Sequence, residues 1–125
     1  LCGTDPAHYT GSIAWENLKS EDYWRITLGG LSIKNTTITG AMDAIVDTGT
    51  SLMAGPTTQV AQIQKIIGAF EVVAGEYEVI CDLVPMLPNV EITLGGQTFE
   101  LTPNDYVLKI TDQGVSVCIS GFMGI

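Results

Sequence analysis

The segment best suited to chemistry is an apolar run that ends in a carboxylate and continues in small hydroxyl residues, Ala44-Ile45-Val46-Asp47-Thr48-Gly49-Thr50-Ser51-Leu52. Apolar neighbours disfavour the charged form of Asp47 and raise its pKa, whereas hydrogen bonds from hydroxyl and backbone N–H groups lower it. Gly49 lets the backbone come close to the carboxylate, and the hydroxyl side chains around it are short donors that fix its orientation. A carboxylate held between these opposing effects suits acid–base chemistry.

The same segment also allows a non-catalytic interpretation. Asp-Thr-Gly is typical of a turn that the aspartate caps with its own side chain, and such turns are common in β proteins. For Asp47-Thr48-Gly49 alone, the capped turn is the favoured interpretation. The longer string from Ala44 to Thr57 is much more specific than the tripeptide, and it favours a catalytic carboxylate over a capped turn.

Short β-like runs separated by glycine, asparagine and proline dominate the chain and predict a mostly β fold. These runs are Gly11 to Trp15, Tyr23 to Leu28, Leu31 to Lys34, Ala44 to Asp47, Tyr77 to Cys81, Val90 to Leu94, Thr98 to Leu101, Tyr106 to Ile110 and Val115 to Ile119. Gly29-Gly30 and Gly95-Gly96 lie between such runs, where two-residue turns need the positive φ that glycine adopts without strain. The sequence therefore predicts a hairpin at each glycine pair.

One segment has a helical period. After Pro56, apolar residues recur at steps of three and four, at Val60, Ile63, Ile66, Ile67 and Phe70. Proline suits the first turn of a helix, and Gly68 weakens its continuation near the end. We predict one amphipathic helix packed against a sheet. A single domain over residues 1–125 is expected, because no linker, low-complexity stretch or internal repeat divides the chain.

Composition and charge limit the functions that fit. The chain has 125 residues and a net charge of -9, with 46% apolar and 15% charged residues. This balance is typical of one small globular domain, and the negative charge argues against nucleic-acid binding. No apolar run is long enough to span a bilayer, so no membrane span is expected. No cysteine or histidine spacing suits a metal, and neither a metal nor another cofactor is expected.

The cysteines and one asparagine bear on the cellular compartment. Cys81 and Cys118 each follow strand-like apolar residues, so they can pair across neighbouring strands in an oxidising compartment or stay reduced in the cytosol. Asn35-Thr36-Thr37 is an acceptor pattern for N-glycosylation, which points to secretion, although such triplets also arise by chance.

Several separate motifs, in the same order, make the chain resemble the C-terminal lobe of the pepsin-like aspartic proteases, most of all the cathepsin D and pepsin branch. The string around Asp47 is similar to the second active-site segment of that family. The other motifs are Tyr9-Thr10-Gly11-Ser12-Ile13-Ala14-Trp15, Tyr23-Trp24-Arg25-Ile26, Leu87-Pro88-Asn89-Val90-Glu91-Ile92, Tyr106-Val107-Leu108 and Cys118-Ile119-Ser120-Gly121-Phe122. Together they cover essentially the whole chain.

The resemblance implies an aspartic endopeptidase in which Asp47 is one of two catalytic aspartates. The two share a proton and activate a water that hydrolyses a peptide bond at acidic pH. It further implies that Thr48 bonds across to the opposing active-site loop, that the N–H of Gly49 holds the carboxylate, and that the hydroxyl of Thr50 bonds its outer oxygen. By the same resemblance, Ser51 borders the substrate cleft.

Aromatic and aliphatic residues near this segment are further candidates. Tyr23, Ile45 and Ile125 match positions that line substrate pockets, with core or sheet packing as the alternative for each. Trp15 and Trp24 are expected to pack within the lobe.

The resemblance also implies a disulfide between Cys81 and Cys118, and leaves Cys2 where relatives usually have glycine. The chain holds one Asp-Thr-Gly, and the resemblance implies that the second aspartate comes from an N-terminal lobe, in the same or a separate chain. The sequence stops at Ile125, before the last strands of the family, so we expect an incomplete C-terminal lobe. Peptide substrates, pepstatin-like inhibitors and a secreted, lysosomal or vacuolar location are implied as well.

Two alternatives to an active bilobal protease stay open. Retroviral-type proteases build the pair of aspartates by homodimerisation, but Asp47 lies deeper in this chain than is usual for them, and an Ile-Gly-Arg-like segment is missing. A pepsin-like binding protein keeps the cleft but has lost catalysis through changes that can lie in the other lobe. A plain interaction domain with an accidental motif is the least favoured interpretation.

Overall fold

The computed structural model describes residues 2–125 and confirms a mostly β fold. Within this range the strands are β1 (Arg25–Ile33), β2 (Thr36–Thr39), β3 (Met42–Ile45), β4 (Met53–Gly55), β5 (Phe70–Val73), β6 (Glu76–Val79), β7 (Val90–Leu94), β8 (Gln97–Leu101), β9 (Val107–Asp112), β10 (Val115–Ser120) and β11 (Phe122–Gly124). The helices are α1 (Thr57–Ile67) and α2 (Pro103–Tyr106), and 3₁₀ segments lie at Pro6–His8 and Cys81–Met86. No helix in residues 2–125 is both long and apolar enough to cross a membrane.

Strand β1 is the axis of the first sheet. One of its edges pairs with β7, and the other pairs with β3 along the first half of the strand and with β2 along the second half. All three pairings are antiparallel, and β8 continues the sheet beyond β7. One continuous strand therefore pairs directly with three others.

The hairpin predicted at Gly29-Gly30 is wrong, because β1 runs through both glycines. A Cβ on Gly29 would lie 3.0 Å from Cγ2 of Thr93 on β7, and one on Gly30 would lie 3.2 Å from the carbonyl oxygen of Thr39 on β2. The pairing of β1 with β7 shifts register between Leu28 and Gly30, as at a β-bulge. The glycines therefore permit close packing between strands, and they do not form a turn.

The hairpin predicted at Gly95-Gly96 is confirmed. Leu94 and Gln97 are paired on either side of the two glycines, whose φ angles are +57° and +75°. Two consecutive positive φ angles are typical of a type I′ turn.

The strand predicted for Gly11 to Trp15 is wrong, since this exposed segment has no paired neighbour strand in the described chain.

The second sheet has the order β5-β6-β10-β9 and carries the disulfide. Cys81, in the 3₁₀ segment after β6, is bonded to Cys118 of β10, with the two Cα atoms 5.3 Å apart. The pairing implied by the resemblance is therefore confirmed. Its sequence separation of 37 residues corresponds to roughly 3 to 4 kcal/mol of stabilisation in the chain-entropy model. Cys2 is free and exposed.

The predicted amphipathic helix is confirmed as α1, with a shorter range. Pro56 precedes its first residue, and Gly68 ends it in the left-handed conformation with φ of +73°. Phe70, which continues the apolar period of the sequence, lies in β5 instead. The buried face of α1 packs against β11 and β2 and consists of Val60, Ile63, Gln64 and Ile67.

A buried tyrosine and a glycine connect the second sheet to the short parallel pair β4–β11. Tyr106 and Phe122 are both buried, and their ring centroids are 5.7 Å apart. The hydroxyl of Tyr106 donates to the carbonyl of Pro88 at 2.7 Å, and burial raises the pKa of Tyr106 to about 12. The N–H of Gly121 donates to the carbonyl of Tyr106, and its own carbonyl accepts from the N–H of Met53, both at 2.7 Å.

Replacing Gly121 by alanine is expected to destabilise the fold, because the added Cβ would lie 2.5 Å from the carbonyl oxygen of Tyr106. We expect a loss of about 1–3 kcal/mol in the free energy of unfolding. The matched control is Gly40→Ala, whose Cβ meets no atom within 4 Å and should change stability by less than about 0.5 kcal/mol. Urea unfolding followed by circular dichroism measures the difference, and equal midpoints for the two variants would contradict this packing.

Candidate active site

Asp47 follows strand β3 at one edge of the first sheet. β3 pairs with β1 through Met42 to Ile45, so the strand predicted at Ala44 to Asp47 begins and ends two residues earlier. The N–H of Val46 donates to the carbonyl of Trp24 at 2.9 Å, which continues this pairing by one residue. The backbone immediately before the carboxylate is therefore held by an antiparallel neighbour.

Both carboxylate oxygens of Asp47 accept hydrogen bonds from the turn that follows. The N–H of Gly49 donates to Oδ1 at 2.8 Å, and the hydroxyl of Thr50 donates to Oδ2 at 2.5 Å. The N–H of Thr50 also donates to the backbone carbonyl of Asp47 at 3.4 Å. A Cβ on residue 49 would lie 3.1 Å from Oδ1, tighter than ordinary contact, so glycine suits this position.

These donors decide the ionisation of Asp47. Hydrogen bonds from Thr50 and then Gly49 stabilise the charged carboxylate and hold its pKa below the ordinary value, against a smaller opposing effect of desolvation. The side chain is exposed, so its apolar sequence neighbours do not bury it. In this chain Asp47 is therefore an oriented, ionised acceptor that can bind a water or take up a proton.

The other residues predicted for the site are divided between one groove and its surroundings. A groove of about 800 Å³ is lined by Asp47, Thr50, Ser51, Ile45 and Ile125, among others. Tyr23, Thr48 and Gly49 are not among its lining residues. Tyr23, Ile45 and Ile125 are 66%, 53% and 77% exposed, so burial in the core does not describe them in this chain.

The apolar part of this groove was not predicted from the sequence. Its lining includes Ile26 and Leu28 of β1, together with Ile92 and Leu94 of β7. Within each pair the two residues are separated by one position, which places their side chains on the same face of a strand. That alternation was the available signal, but it marks a groove only once the pairing of β1 with β7 is known.

Charged side chains fix the segment that leads into β1. Arg25 forms an ion pair with Asp22 and donates to the hydroxyl of Ser20 at 2.8 Å. Asp43 of β3 lies 3.7 Å from a guanidinium nitrogen of Arg25 and 3.7 Å from the ammonium of Lys19. The hydrogen bond from Arg25 is the main cause that lowers the pKa of Asp22. Sequence reasoning missed this cluster because Asp43 comes from another strand and the members form no motif.

The expectation that Trp15 and Trp24 pack within the lobe is wrong for residues 2–125. Their exposed fractions are 87% and 71%. Both lie in the extended segment before β1, outside the sheets, so no layer of the described chain covers them. Large exposed aromatic side chains are typical of a surface that another part of a protein covers.

The fold and the held carboxylate agree with the comparison to known protein families. The family model for the eukaryotic aspartyl protease matches residues 1–124. The chain therefore belongs to the eukaryotic aspartyl protease family and is pepsin-like, as the motifs around Asp47 indicated.

Individual relatives give the same result over the full chain. The chain is 54% identical to aspartic protease 3 of Caenorhabditis elegans, 46% identical to cathepsin D of Chionodraco hamatus and 42% identical to cathepsin D of Homo sapiens. Each match covers 100% of this chain but only 31% or 32% of the relative. The chain therefore spans about a third of the length of these relatives.

Replacing Thr50 by valine is expected to raise the pKa of Asp47 towards its ordinary value of 3.8, because the hydroxyl that donates to Oδ2 is removed. The carboxyl ¹³C shift of Asp47, titrated by NMR, measures this change. Thr48→Val is the matched control, since in the described chain the hydrogen bonds that lower this pKa come from Thr50 and Gly49.

Thr50→Val should also change how the stability of the folded chain depends on pH. Because the pKa of Asp47 is lowered on folding, its charge stabilises the folded chain above the ordinary pKa, and that contribution is lost as the pH falls through the folded pKa. Thr50→Val should therefore weaken this part of the acid dependence, below about pH 4. Identical Asp47 titrations in Thr50→Val and the parent chain would contradict the account.

Proposed function

We propose that the protein containing this chain is an aspartic endopeptidase, which hydrolyses peptide bonds at acidic pH with Asp47 as one of two catalytic carboxylates. The observation that carries the proposal is the double hydrogen bonding of Asp47 by Gly49 and Thr50, in a chain of the aspartyl protease family. These bonds hold the carboxylate in one orientation while leaving it exposed at the groove. An oriented and accessible carboxylate is what water activation requires.

Two carboxylates that share one proton provide both the base and the acid for the reaction. The ionised member takes a proton from a water, whose oxygen attacks the carbonyl carbon of the scissile bond. The protonated member donates a hydrogen bond to the carbonyl oxygen as negative charge develops there. The C–N bond then breaks, and the amine leaves with a proton from the pair, so no covalent intermediate with the protein forms.

The acidic working pH follows from the closeness of the two carboxylates. Two like charges a few ångströms apart cannot both ionise cheaply, so the pair titrates as a unit with two apparent pKa values. The active form holds one proton and exists between those values. The donors from Thr50 and Gly49 lower the pKa of Asp47 and so favour an ionised carboxylate within the pair in acid.

We assign the second carboxylate to an N-terminal lobe, in the same or a separate chain, with residues 1–125 as part of the C-terminal lobe. The sequence contains one Asp-Thr-Gly, and its relatives are about three times as long. The exposed Trp15 and Trp24 and the apolar groove beside Asp47 are surfaces that a second lobe can cover. Together these observations support a site that is completed from outside this chain.

The substrate we propose is an extended peptide bound across both lobes. Ile45, Ile125 and Ser51 line the same groove as Asp47. We assign them to a mostly apolar wall that contacts the side chains of the bound peptide. We also assign Tyr23 to substrate contact from outside the groove; its exposure next to Trp24, whose carbonyl accepts a hydrogen bond from the backbone before Asp47, supports this assignment. Thr48 is assigned to the contact with the opposing active-site loop, and pepstatin-like inhibitors are expected to bind in the same cleft.

A secreted, lysosomal or vacuolar location fits this activity. The disulfide between Cys81 and Cys118 is a feature of proteins that fold in an oxidising compartment. Acid-dependent hydrolysis also fits an acidic organelle or an acidic extracellular fluid. The disulfide therefore supports a secretory route for the whole protein, which we propose together with the activity.

The alternatives have less support. A retroviral-type homodimer of this chain is disfavoured, because the matched relatives are about three times its length. A non-catalytic pepsin-like binding protein needs the cleft but not an oriented carboxylate. The retained bonds from Gly49 and Thr50 to Asp47 therefore argue against a loss of catalysis through this half of the site.

Asp47→Asn in the full-length protein is expected to lower kcat by at least about 10²- to 10⁴-fold, because an amide cannot share the proton of the pair. Folding should be nearly unchanged, since the amide oxygen still accepts one of the two hydrogen bonds. Hydrolysis of a peptide substrate at acid pH measures the effect.

The matched control for this variant is Asp112→Asn, an exposed aspartate that ends β9 in the second sheet. It is expected to keep the parent activity. Acid proteolysis by Asp47→Asn at the parent rate would end the catalytic assignment. The folded state of both variants is compared by circular dichroism.

A further inference from the structure

The hairpin between β1 and β2 turns at Lys34 and Asn35. Their φ angles are +50° and +62°, and Ile33 and Thr36 are paired on either side of them. Two consecutive left-handed residues form the tight turn whose twist matches neighbouring strands, and asparagine adopts this conformation more readily than most residues. Both turn residues are exposed. Asn35 therefore stands at the tip of a surface hairpin.

The two residues after Asn35 complete an acceptor pattern for N-glycosylation. Asn35-Thr36-Thr37 is the only Asn-x-Ser/Thr triplet in the 125-residue sequence. Thr36 and Thr37 are exposed, and β2 is an outer strand of its sheet, anchored by the buried Ile38. The amide and the hydroxyl that define the pattern both lie at the surface, on a segment whose outer edge is covered by no other strand of residues 2–125.

We propose that Asn35 carries an N-linked oligosaccharide. In the glycosylation reaction, Nδ2 of Asn35 forms a bond to the anomeric carbon of an oligosaccharide that is supplied as a lipid-linked pyrophosphate. The bond between that carbon and the pyrophosphate oxygen breaks, the lipid pyrophosphate leaves, and the amide loses one proton. No oxidant or reductant takes part. The proposal rests on the secretory route given above, in which the disulfide Cys81–Cys118 also forms.

A glycan at this position is compatible with catalysis, because β1 separates it from Asp47. Arg25 begins the strand beside Ile45, near Asp47, whereas Ile33 ends it beside the hairpin tip. Nine residues at about 3.3 Å each place the two ends of the strand about 26 Å apart. The oligosaccharide would therefore extend from the end of β1 opposite Asp47, on the hairpin whose Ile38 and Thr39 line the far part of the groove, and leave the carboxylate accessible.

The test is peptide mapping by mass spectrometry of the full-length protein, produced in a eukaryotic secretory host, before and after treatment with an amidase that releases N-linked glycans. The treatment removes the oligosaccharide and leaves aspartate at position 35. Thr37→Ala removes the hydroxyl of the pattern without changing the hairpin tip. Thr36→Ala and Thr37→Ser keep the pattern and are the matched controls. Asn35→Gln is less suitable, because glutamine at φ of +62° is strained.

The expected result is a glycosylated Asn35 in the parent protein, in Thr36→Ala and in Thr37→Ser, and an unmodified Asn35 in Thr37→Ala. Peptidase activity should be the same in all four. An unmodified Asn35 in parent protein whose Cys81–Cys118 disulfide has formed would overturn the glycan alone. An unmodified Asn35 together with reduced cysteines would overturn the secretory route as well. The activity of Asp47→Asn is measured independently of both results. The peptidase proposal can therefore fail or hold whatever the glycan test shows.

Discussion

The continuity of β1 is the constraint on which the position of Asp47 depends. Its first half pairs with β3, and the carbonyl of Trp24 just before it accepts the N–H of Val46, so the backbone before the carboxylate cannot shift independently of β1. Its second half and opposite edge are packed closely by β2 and β7, which Gly29 and Gly30 make possible. A turn at those glycines would split the strand and detach the half that pairs with β3 from the half that pairs with β2.

Local signals in the sequence were sufficient for the elements that depend on neighbours along the chain. The three- and four-residue period after Pro56 located α1, and Gly95-Gly96 located a hairpin, because both structures arise within a few residues. Gly29-Gly30 has the same local signature, yet its role is set by Thr93 and Thr39, which lie far away in sequence. Periodicity and turn preferences hold no information on such partners.

In the candidate site, too, local contacts could be predicted from the sequence and long-range contacts could not. The hydrogen bonds to Asp47 come from residues two and three positions later, so the segment itself indicated a held carboxylate. The ion pair of Arg25 with Asp43 joins β1 to β3 across the sheet, and the exposed Trp15 and Trp24 lack a covering layer in residues 2–125. Contacts of this kind follow from tertiary pairing, which composition and motifs do not specify.

The central claim is that Asp47 works with a second carboxylate supplied from outside residues 1–125. Retention of the native source protein on immobilised pepstatin at acid pH, with the intact mass of what elutes, tests the site and its architecture together. The account predicts that the retained protein contains these residues and has a total length about three times that of this chain, as one polypeptide or as two different chains. Correctly folded protein that passes through the column unretained would contradict it.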